Sequence, residues 1–237
     1  MKSPKPFDSG IDGTRRVLGW IYLPVHVFLL PFLLGMIAAV WPGATDGGLN
    51  ALLEHVNLIY YAIGAVFVLL VFFPALRRDY DTLADHPGRS VFAIVSGGLL
   101  DHALTFAVAP LLLLLLGADV SNPNNEAVIS LDSGEMRAAA FFLAPIVEEA
   151  LFRGLIFGSV RRRSRVWAYV LSVAAFSLYH VWQYALSDPG LLVYALQYIP
   201  VSLGLAWAYE RSESLWCPVF LHMIINFVSF TLLSAGR

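Results

Sequence analysis

The chain is poor in charged residues: Asp, Glu, Lys and Arg make up only 14% of its 237 residues. Soluble globular proteins carry about 25% charged residues, so this composition argues against a soluble enzyme. The formal net charge of −2 also excludes the general basic field that nucleic-acid-binding proteins use. Only one cysteine is present, Cys217, which excludes an internal disulfide, and its apolar surroundings indicate a small buried side chain.

Apolar residues dominate instead, at 58% of the sequence with a mean hydropathy of +0.70. A membrane-spanning helix needs about 20 mostly apolar residues, and seven segments approach or exceed this length. Their approximate bounds are 17–41, 57–76, 90–117, 136–160, 166–187, 190–209 and 214–234. We therefore predict an all-α polytopic transmembrane helix bundle of about seven to eight spanning helices, forming a single membrane domain over residues 1–237.

The segment 90–117 is unusually long and contains Gly97, Gly98 and Pro110. Its composition is compatible with one tilted helix, with a broken helix, or with a span followed by a re-entrant piece. The sequence leaves these three alternatives open.

Basic residues are unevenly distributed among the connecting segments. They precede the first apolar segment and follow the second, fourth and sixth: Lys2, Lys5, Arg15, Arg16, Arg77, Arg78, Arg89, Arg161, Arg162, Arg163, Arg165 and Arg211. The loops 42–56, 118–135 and 188–189 contain neither Lys nor Arg. Because loops rich in Lys and Arg stay cytoplasmic, we predict a multi-pass protein of a prokaryotic cytoplasmic membrane with its N-terminus inside.

Two adjacent carboxylates, Glu148 and Glu149, interrupt the fourth apolar segment, and Arg153 follows them. Charged side chains at the centre of a membrane helix cost roughly 2.5–3.5 kcal/mol each, which makes a functional site the default interpretation. At 100° per residue, Glu149 and Arg153 lie about 40° apart around a helix, whereas Glu148 and Arg153 lie about 140° apart. We therefore predict that Arg153 neutralises Glu149 and that Glu148 faces elsewhere, without a partner on its own helix.

Two later segments each carry a pair of side chains spaced for one helix face: Phe176 with His180, and His222 with Asn226. At 1.5 Å per residue, Glu148, His180, His222 and Asn226 lie about 12–21 Å from the cytoplasmic ends of their segments. All four can therefore meet near the middle of a bilayer about 30 Å thick. A carboxylate and an imidazole can polarise water, while an imidazole and an amide can stabilise an oxyanion.

Three other functions remain compatible with these residues. A transporter or ion pathway would use Glu148 and Asp101 as proton or cation sites. Buried polar side chains also hold membrane helices together without any chemistry. A non-catalytic scaffold that only binds peptides is the third alternative.

The polar residues form three motifs in a fixed order: EExxxR at Glu148–Arg153, FxxxH at Phe176–His180, and HxxxN at His222–Asn226. This order resembles the CAAX protease and bacteriocin-processing family of intramembrane endopeptidases, also called Abi. The resemblance covers a core of about residues 136–234 and reaches no further toward the N-terminus.

The resemblance implies hydrolysis of a peptide bond in a membrane-associated or lipidated peptide or protein, with membrane lipid as the surroundings. Carried over by position, Glu148 and His180 would activate water, and His222 with Asn226 would form the oxyanion site. Glu149, Arg153 and Phe176 would support that arrangement. The family is viewed as a glutamate-type protease, which we favour over a metalloprotease.

No cofactor is favoured by the sequence. Zinc is the alternative, held by Glu148, His180 and His222 as a His₂Glu set. However, the chain lacks the HExxH motif, in which one helix supplies two zinc ligands. It also lacks the GxSG motif of rhomboid-type serine proteases and the GxGD motif of presenilin-type aspartyl proteases.

Overall fold

The computed structural model describes residues 7–40, 49–117, 122–130 and 133–235. The predicted all-α architecture is confirmed, because every regular element within these ranges is helical. Lys2, Lys5 and parts of the loops 42–56 and 118–135, which enter the orientation prediction, lie outside the described residues.

The helices follow one another with short connections. In chain order they are α1 (Gly13–Pro24), α2 (Leu30–Val40), α3 (Leu49–Val71), α4 (Phe73–Asp85), α5 (Pro87–Leu116), α6 (Pro123–Ser130), α7 (Gly134–Ala138), α8 (Ala144–Glu148), α9 (Gly158–Arg161), α10 (Arg165–Tyr179), α11 (Trp182–Ala185), α12 (Ala195–Ser212) and α13 (Trp216–Ala235). Val25–Leu29, Ala139–Leu143 and Glu149–Phe157 are π-helical, and Pro189–Tyr194 is a 3₁₀ helix.

The chain is an integral membrane protein, and each of the seven predicted apolar segments contains a helix. Within the described residues, four helical runs are long and apolar enough to cross a membrane: Gly13–Val40, Glu54–Val71, Pro87–Leu115 and Pro189–Ser212. Arg165–Tyr179 and Trp216–Leu232 are apolar but shorter. The bundle is therefore the predicted one, while the number of seven complete spans stays a prediction.

Segment 90–117 forms one helix, α5, in spite of Pro110. Gly97 serves packing, because a Cβ built on it would come within 2.7 Å of the carbonyl oxygen of Gly204 in α12. Small residues allow two membrane helices to approach this closely. At the same crossing, Trp207 Nε1 donates a hydrogen bond to Ser96 Oγ at 3.0 Å. A span followed by a re-entrant piece does not form.

Residues 134–161 form one continuous helix, which we call the glutamate helix, in which α7, α8 and α9 alternate with π-helical turns. π-helical turns are rare and frequently occur at functional sites. The stretch Glu149–Phe157 is buried throughout. The middle of this helix therefore runs through the protein interior, where Glu148, Glu149 and Arg153 are shielded from lipid.

The helix that carries His222 and Asn226 is anchored at its start. Asp79 Oδ2 accepts a hydrogen bond from the Leu215 backbone N–H at 2.9 Å, and the Asp79 carbonyl accepts one from Ser214 Oγ. Trp216 Nε1 donates to the Leu76 carbonyl at 2.8 Å. These contacts satisfy donors at the N-terminus of α13, which otherwise lack partners, and fix the position of α13 against α4.

Candidate functional site

A cavity of about 740 Å³ lies among α2, α3, the glutamate helix and α10 to α13, and α5 and α6 also contribute to its wall. The residues that line it include Glu148, Phe176, His180, His222 and Asn226, which come from three separate motifs. The structure therefore brings Glu148, His180, His222 and Asn226 to one cavity, and their common depth in the bilayer stays a prediction. Glu149 and Arg153 do not line the cavity.

Glu148 lies on the cavity wall, and its two carboxylate oxygens have different neighbours. Oε1 accepts a hydrogen bond from Tyr61 Oη of α3 at 3.3 Å. Oε2 lies 3.9 Å from His180 Nε2 and 3.8 Å from His222 Nε2, which is too far for direct hydrogen bonds. Among the described residues, Oε2 is buried without a hydrogen-bond partner. A buried unpaired carboxylate oxygen between two imidazoles is a place for a small polar reactant.

His180 lies one residue beyond the end of α10, where the last carbonyls of the helix have no intrahelical partner. Its Nδ1 is 2.8 Å from the Phe176 carbonyl oxygen. Because a carbonyl only accepts, Nδ1 carries the proton, which leaves a lone pair on Nε2 of the neutral ring. The ring stacks on Tyr198 with centroids 4.3 Å apart and contacts the Phe176 ring at 4.5 Å. The unprotonated nitrogen is thereby directed toward Glu148.

Glu149 forms the ion pair predicted from helical spacing. Its Oε1 accepts a hydrogen bond from Arg153 Nη1 at 2.9 Å, and both side chains are 0% exposed. Arg153 Nη2 also donates to the carbonyl and hydroxyl oxygens of Ser202, at 3.0 and 2.9 Å. The guanidinium lies 4.3 Å from the centroid of the Phe176 ring. Arg153 therefore connects Glu149 to the aromatic ring that packs against His180.

Glu149 has a second partner that the sequence did not predict. The same Oε1 lies 2.8 Å from His222 Nδ1, which must donate because a carboxylate only accepts. His222 is therefore held in one orientation, with Nε2 directed toward Glu148. A carboxylate that fixes the orientation of an imidazole in this way is a recurring feature of catalytic sites.

Asn226 lines the cavity, and one of its two amide hydrogens is bonded to a backbone carbonyl. In this π-helical turn the Ala144 N–H donates to the carbonyl of Ala139, five residues earlier. With the same spacing, the N–H of residue 145 would donate to the carbonyl of Ala140. Residue 145 is proline, which has no N–H. Asn226 Nδ2 donates to the Ala140 carbonyl at 3.0 Å in its place. The second amide hydrogen of Asn226 is the one that could reach an oxyanion.

The predicted zinc ligands converge, but their spacing is wide for zinc. Ligand atoms of a tetrahedral zinc with bonds of about 2.0–2.1 Å lie about 3.3–3.4 Å apart. The Glu148 oxygen is 3.9 and 3.8 Å from the two imidazole nitrogens. Over the described ranges, no group of three or more His, Cys, Asp or Glu side chains is arranged to hold a metal ion. Glu148, His180 and His222 thus do not fit zinc as they stand, and metal-free chemistry stays a prediction.

Asp101, the second residue of the alternative ion pathway, lies at the crossing of α5 and α12. Its Oδ1 accepts a hydrogen bond from Thr105 Oγ1 at 3.4 Å, and its Oδ2 lies 3.6 Å from His102 Nδ1. Asp101 is not among the residues that line the cavity containing Glu148. Thr105, which donates to Asp101, does line this cavity, so an ion pathway through Glu148 and Asp101 stays an alternative.

Tyr61 and Tyr198 are the site residues that sequence reasoning missed. Tyr61 contacts Glu148, and Tyr198 stacks on His180 while its hydroxyl accepts hydrogen bonds from Asn122 and Asn124. Tyr61 is remote from the motifs in sequence, and Tyr198 belongs to none of them. No spacing signal in the sequence identifies either one.

The fold and the site together define a class: an all-helical membrane protein with an acid–imidazole site on the wall of a cavity. Residues 135–228 match the family model described as "Type II CAAX prenyl endopeptidase Rce1-like", and the match contains all seven predicted site residues. This finding confirms the resemblance to the CAAX protease and bacteriocin-processing family that the three motifs predicted.

A curated relative gives a second comparison. A Bacillus subtilis (strain 168) protein named "Putative membrane peptidase YdiL" is 29% identical over 85 residues, which are 35% of this chain. The aligned part makes up 31% of that protein, so the match spans about a third of its length. No solved structure matches the chain.

Proposed function

We propose that the protein is an intramembrane endopeptidase that hydrolyses a peptide bond in a membrane-associated or lipidated peptide or protein. The observation that carries this proposal is the buried, unpartnered Oε2 of Glu148, 3.9 Å from His180 Nε2 and 3.8 Å from His222 Nε2 on a cavity wall. The family match over residues 135–228 supports the same reaction class.

Glu148 and His180 activate the water. A water between Glu148 Oε2 and His180 Nε2 donates one hydrogen to each, since both atoms are acceptors. Glu148 takes the proton as the water oxygen attacks the peptide carbonyl carbon, whose π electrons move to the oxygen. Glu148 then returns this proton to the amide nitrogen as the C–N bond breaks, so acid and base are the same carboxyl group.

His222 and Asn226 receive the developing oxyanion. Because Nδ1 of His222 already donates to Glu149, its Nε2 donates only when the ring is doubly protonated. In that state two neutral pairs exist before attack, Glu149 with Arg153 and Glu148 with His222. After attack Glu148 is neutral, and the oxyanion takes its place beside His222. The net charge of the site is then zero throughout, which suits a site at membrane depth.

The cavity is suited to a peptide or lipidated protein in a lipid environment. Its volume of about 740 Å³ lies within the range of about 300–1,000 Å³ typical of ligand sites. Much of its wall away from the motif residues is apolar: Pro31, Leu34, Ala38, Val56, Phe141, Ile225 and Phe230.

The test is a cleavage assay with protein reconstituted in lipid nanodiscs. A panel of membrane-anchored peptides, with and without lipidation, is incubated with the wild type and with Glu148→Gln, and products are identified by mass spectrometry. We expect products from the wild type and none from Glu148→Gln. Equal cleavage by both proteins would refute the proposal, as would Glu148-dependent proton flux without cleavage after reconstitution into sealed lipid vesicles.

Metal dependence is tested on the same preparation. We expect cleavage to survive exhaustive treatment with a zinc chelator, since the mechanism uses only Glu148 and His180 on the water. Loss of activity on chelation, with recovery when zinc alone is added back, would replace the metal-free mechanism by a metallo-type one.

A further inference from the structure

The cavity occupies one end of the bundle. Its lining comes from the C-terminal parts of the run Gly13–Val40, of α10 and of α13, and from the N-terminal parts of α3, the glutamate helix and α12. Contacts between helices place these parts together: Asn226 bonds to Ala140, and Asn124 bonds to Tyr198. The cavity therefore extends from Glu148 toward the end that contains α6 and the connection between α11 and α12.

On the other side of Glu148 the protein interior is closed. Glu149, Arg153 and Ser202 form a hydrogen-bonded layer there. Apolar side chains beside this layer are buried as well: Phe152 and Ile156 are 1% and 5% exposed, and Leu205 is 0% exposed. None of these residues lines the cavity. Among the described residues, the cavity thus reaches Glu148 from this end of the bundle and does not continue through the closed layer.

The two ends differ in charge. Ten of the arginines among the described residues lie at the closed end: Arg15, Arg16, Arg77, Arg78, Arg89, Arg161, Arg162, Arg163, Arg165 and Arg211. At the open end, within the described ranges, Arg137 is the single Lys or Arg. Acidic residues prevail there: Glu54, Glu126, Glu135 and Asp188. Lys and Arg concentrate on the cytoplasmic side of membrane proteins.

From these observations we infer that the cavity opens to the non-cytoplasmic face of the membrane. Given the proposed endopeptidase function, the substrate is then a peptide segment on the outer side of the membrane, not a cytosolic chain. The open end carries uncharged amide side chains in the cavity wall, namely those of Asn125 and Gln183. Such groups can hydrogen-bond to the backbone of an extended peptide.

The experiment measures the accessibility of introduced cysteines. It is practical because Cys217 is the only cysteine in the sequence, so one substitution gives a cysteine-free background. Cys217→Ala provides the background, and Gln183→Cys places a thiol at an exposed position of the open end. Arg163→Cys is the matched control at an exposed position of the closed end. A membrane-impermeant maleimide is applied to bacterial protoplasts and, separately, to inside-out vesicles, and labelling is read by mass shift.

We expect Gln183→Cys to be labelled in protoplasts and Arg163→Cys only in inside-out vesicles. The reverse pattern would overturn the inference. Labelling of Gln183→Cys from both sides would also overturn it, because the cavity would then pass through the closed layer.

Labelling does not depend on proteolysis, so this inference and the proposed function can fail separately. If Gln183→Cys is labelled from the outside and no peptide is cleaved, the proposed endopeptidase function is wrong and the inferred orientation of the cavity is supported. If Gln183→Cys is labelled from the cytoplasmic side and a peptide is cleaved, the endopeptidase function is supported and the inference of an outer substrate is wrong.

Discussion

Glu148 and Glu149 are neighbours in the sequence, yet only Glu148 lines the cavity and only Glu149 is paired with Arg153. Glu148 lies on the cavity wall with one oxygen bonded to Tyr61 and the other unpartnered. Glu149 lies in a closed layer, where Oε1 accepts from both Arg153 and His222. Its Oε2, like that of Glu148, is buried without a hydrogen-bond partner among the described residues, but it does not line the cavity. Successive residues on a helix point about 100° apart, which is enough to place one in a cavity and the other in the protein interior. Under the proposed function, Glu148 would therefore act on water while Glu149 would hold His222 and Arg153 in position.

The largest effect is expected when the cavity-facing carboxyl is removed. Glu148→Gln keeps an acceptor for Tyr61 but can no longer take a proton from water. General base catalysis contributes roughly 10²–10⁴-fold, so kcat/KM for a cleaved peptide should fall by at least that range. Thermal unfolding in detergent should be unchanged. Glu135→Gln, an exposed glutamate on the same helix, is the control and should retain full activity.

Glu149→Gln should affect stability as well as activity. It leaves Arg153 as an uncompensated buried charge, and breaking a buried pair in this way costs about 3–5 kcal/mol. Activity should fall too, because His222 loses the carboxylate that orients it. The unfolding temperature and kcat/KM are measured in parallel.

The double variant Glu149→Gln/Arg153→Met separates the two effects. Removing both charges should restore much of the stability without restoring activity, since His222 remains without its carboxylate. Full recovery of activity in this variant would show that Glu149 acts only as the counter-ion of Arg153. It would contradict the claim that Glu149 also orients His222.

Variants of Asn226 test whether one cavity residue can both stabilise the fold and take part in catalysis. Asn226→Ala leaves the Ala140 carbonyl without its donor, which costs about 1–3 kcal/mol of stability. Adding Pro145→Ala supplies a backbone N–H at residue 145 and should recover that stability. Activity should stay low by roughly 10²–10³-fold, the usual effect of losing an oxyanion donor. If the double variant regains activity, Asn226 is a structural residue only.

The smallest effect is expected for Tyr61→Phe. It removes the hydrogen bond to Glu148 Oε1, which is worth about 1.5–3 kcal/mol when the acceptor is charged. We expect a moderate loss in kcat/KM, with KM nearly unchanged because the cavity keeps its shape. In the Glu149→Gln background the loss should be similar, since Tyr61 bonds to Glu148 and not to Glu149. A much larger loss in that background would show that the two carboxylates are coupled through Tyr61.

Local spacing predicted part of this site well. The i, i+4 rule predicted the Glu149–Arg153 pair and the contact between Phe176 and His180, because both depend on one helix alone. Apolar segment length likewise predicted the helical bundle. These features follow from the geometry of a single helix, which a sequence determines directly.

Contacts between distant helices could not be predicted in the same way. The bond from Tyr61 to Glu148 and the bond from Asn226 to Ala140 depend on how separate helices pack. The pairing of His222 with Glu149 belongs to the same group, although both residues stood in known motifs. The packing of α5 also needed the structure, because Gly97 and Pro110 fit a broken helix as well as a straight one.

A structure of the Glu148→Gln variant with an uncleaved peptide tests the central claim most directly. The account predicts the peptide in the cavity, with its scissile carbonyl carbon roughly 3–3.5 Å from a water held by residue 148 and His180. Its carbonyl oxygen should face His222 and Asn226. A peptide bound with its carbonyl directed away from His222, or outside this cavity altogether, would contradict the account.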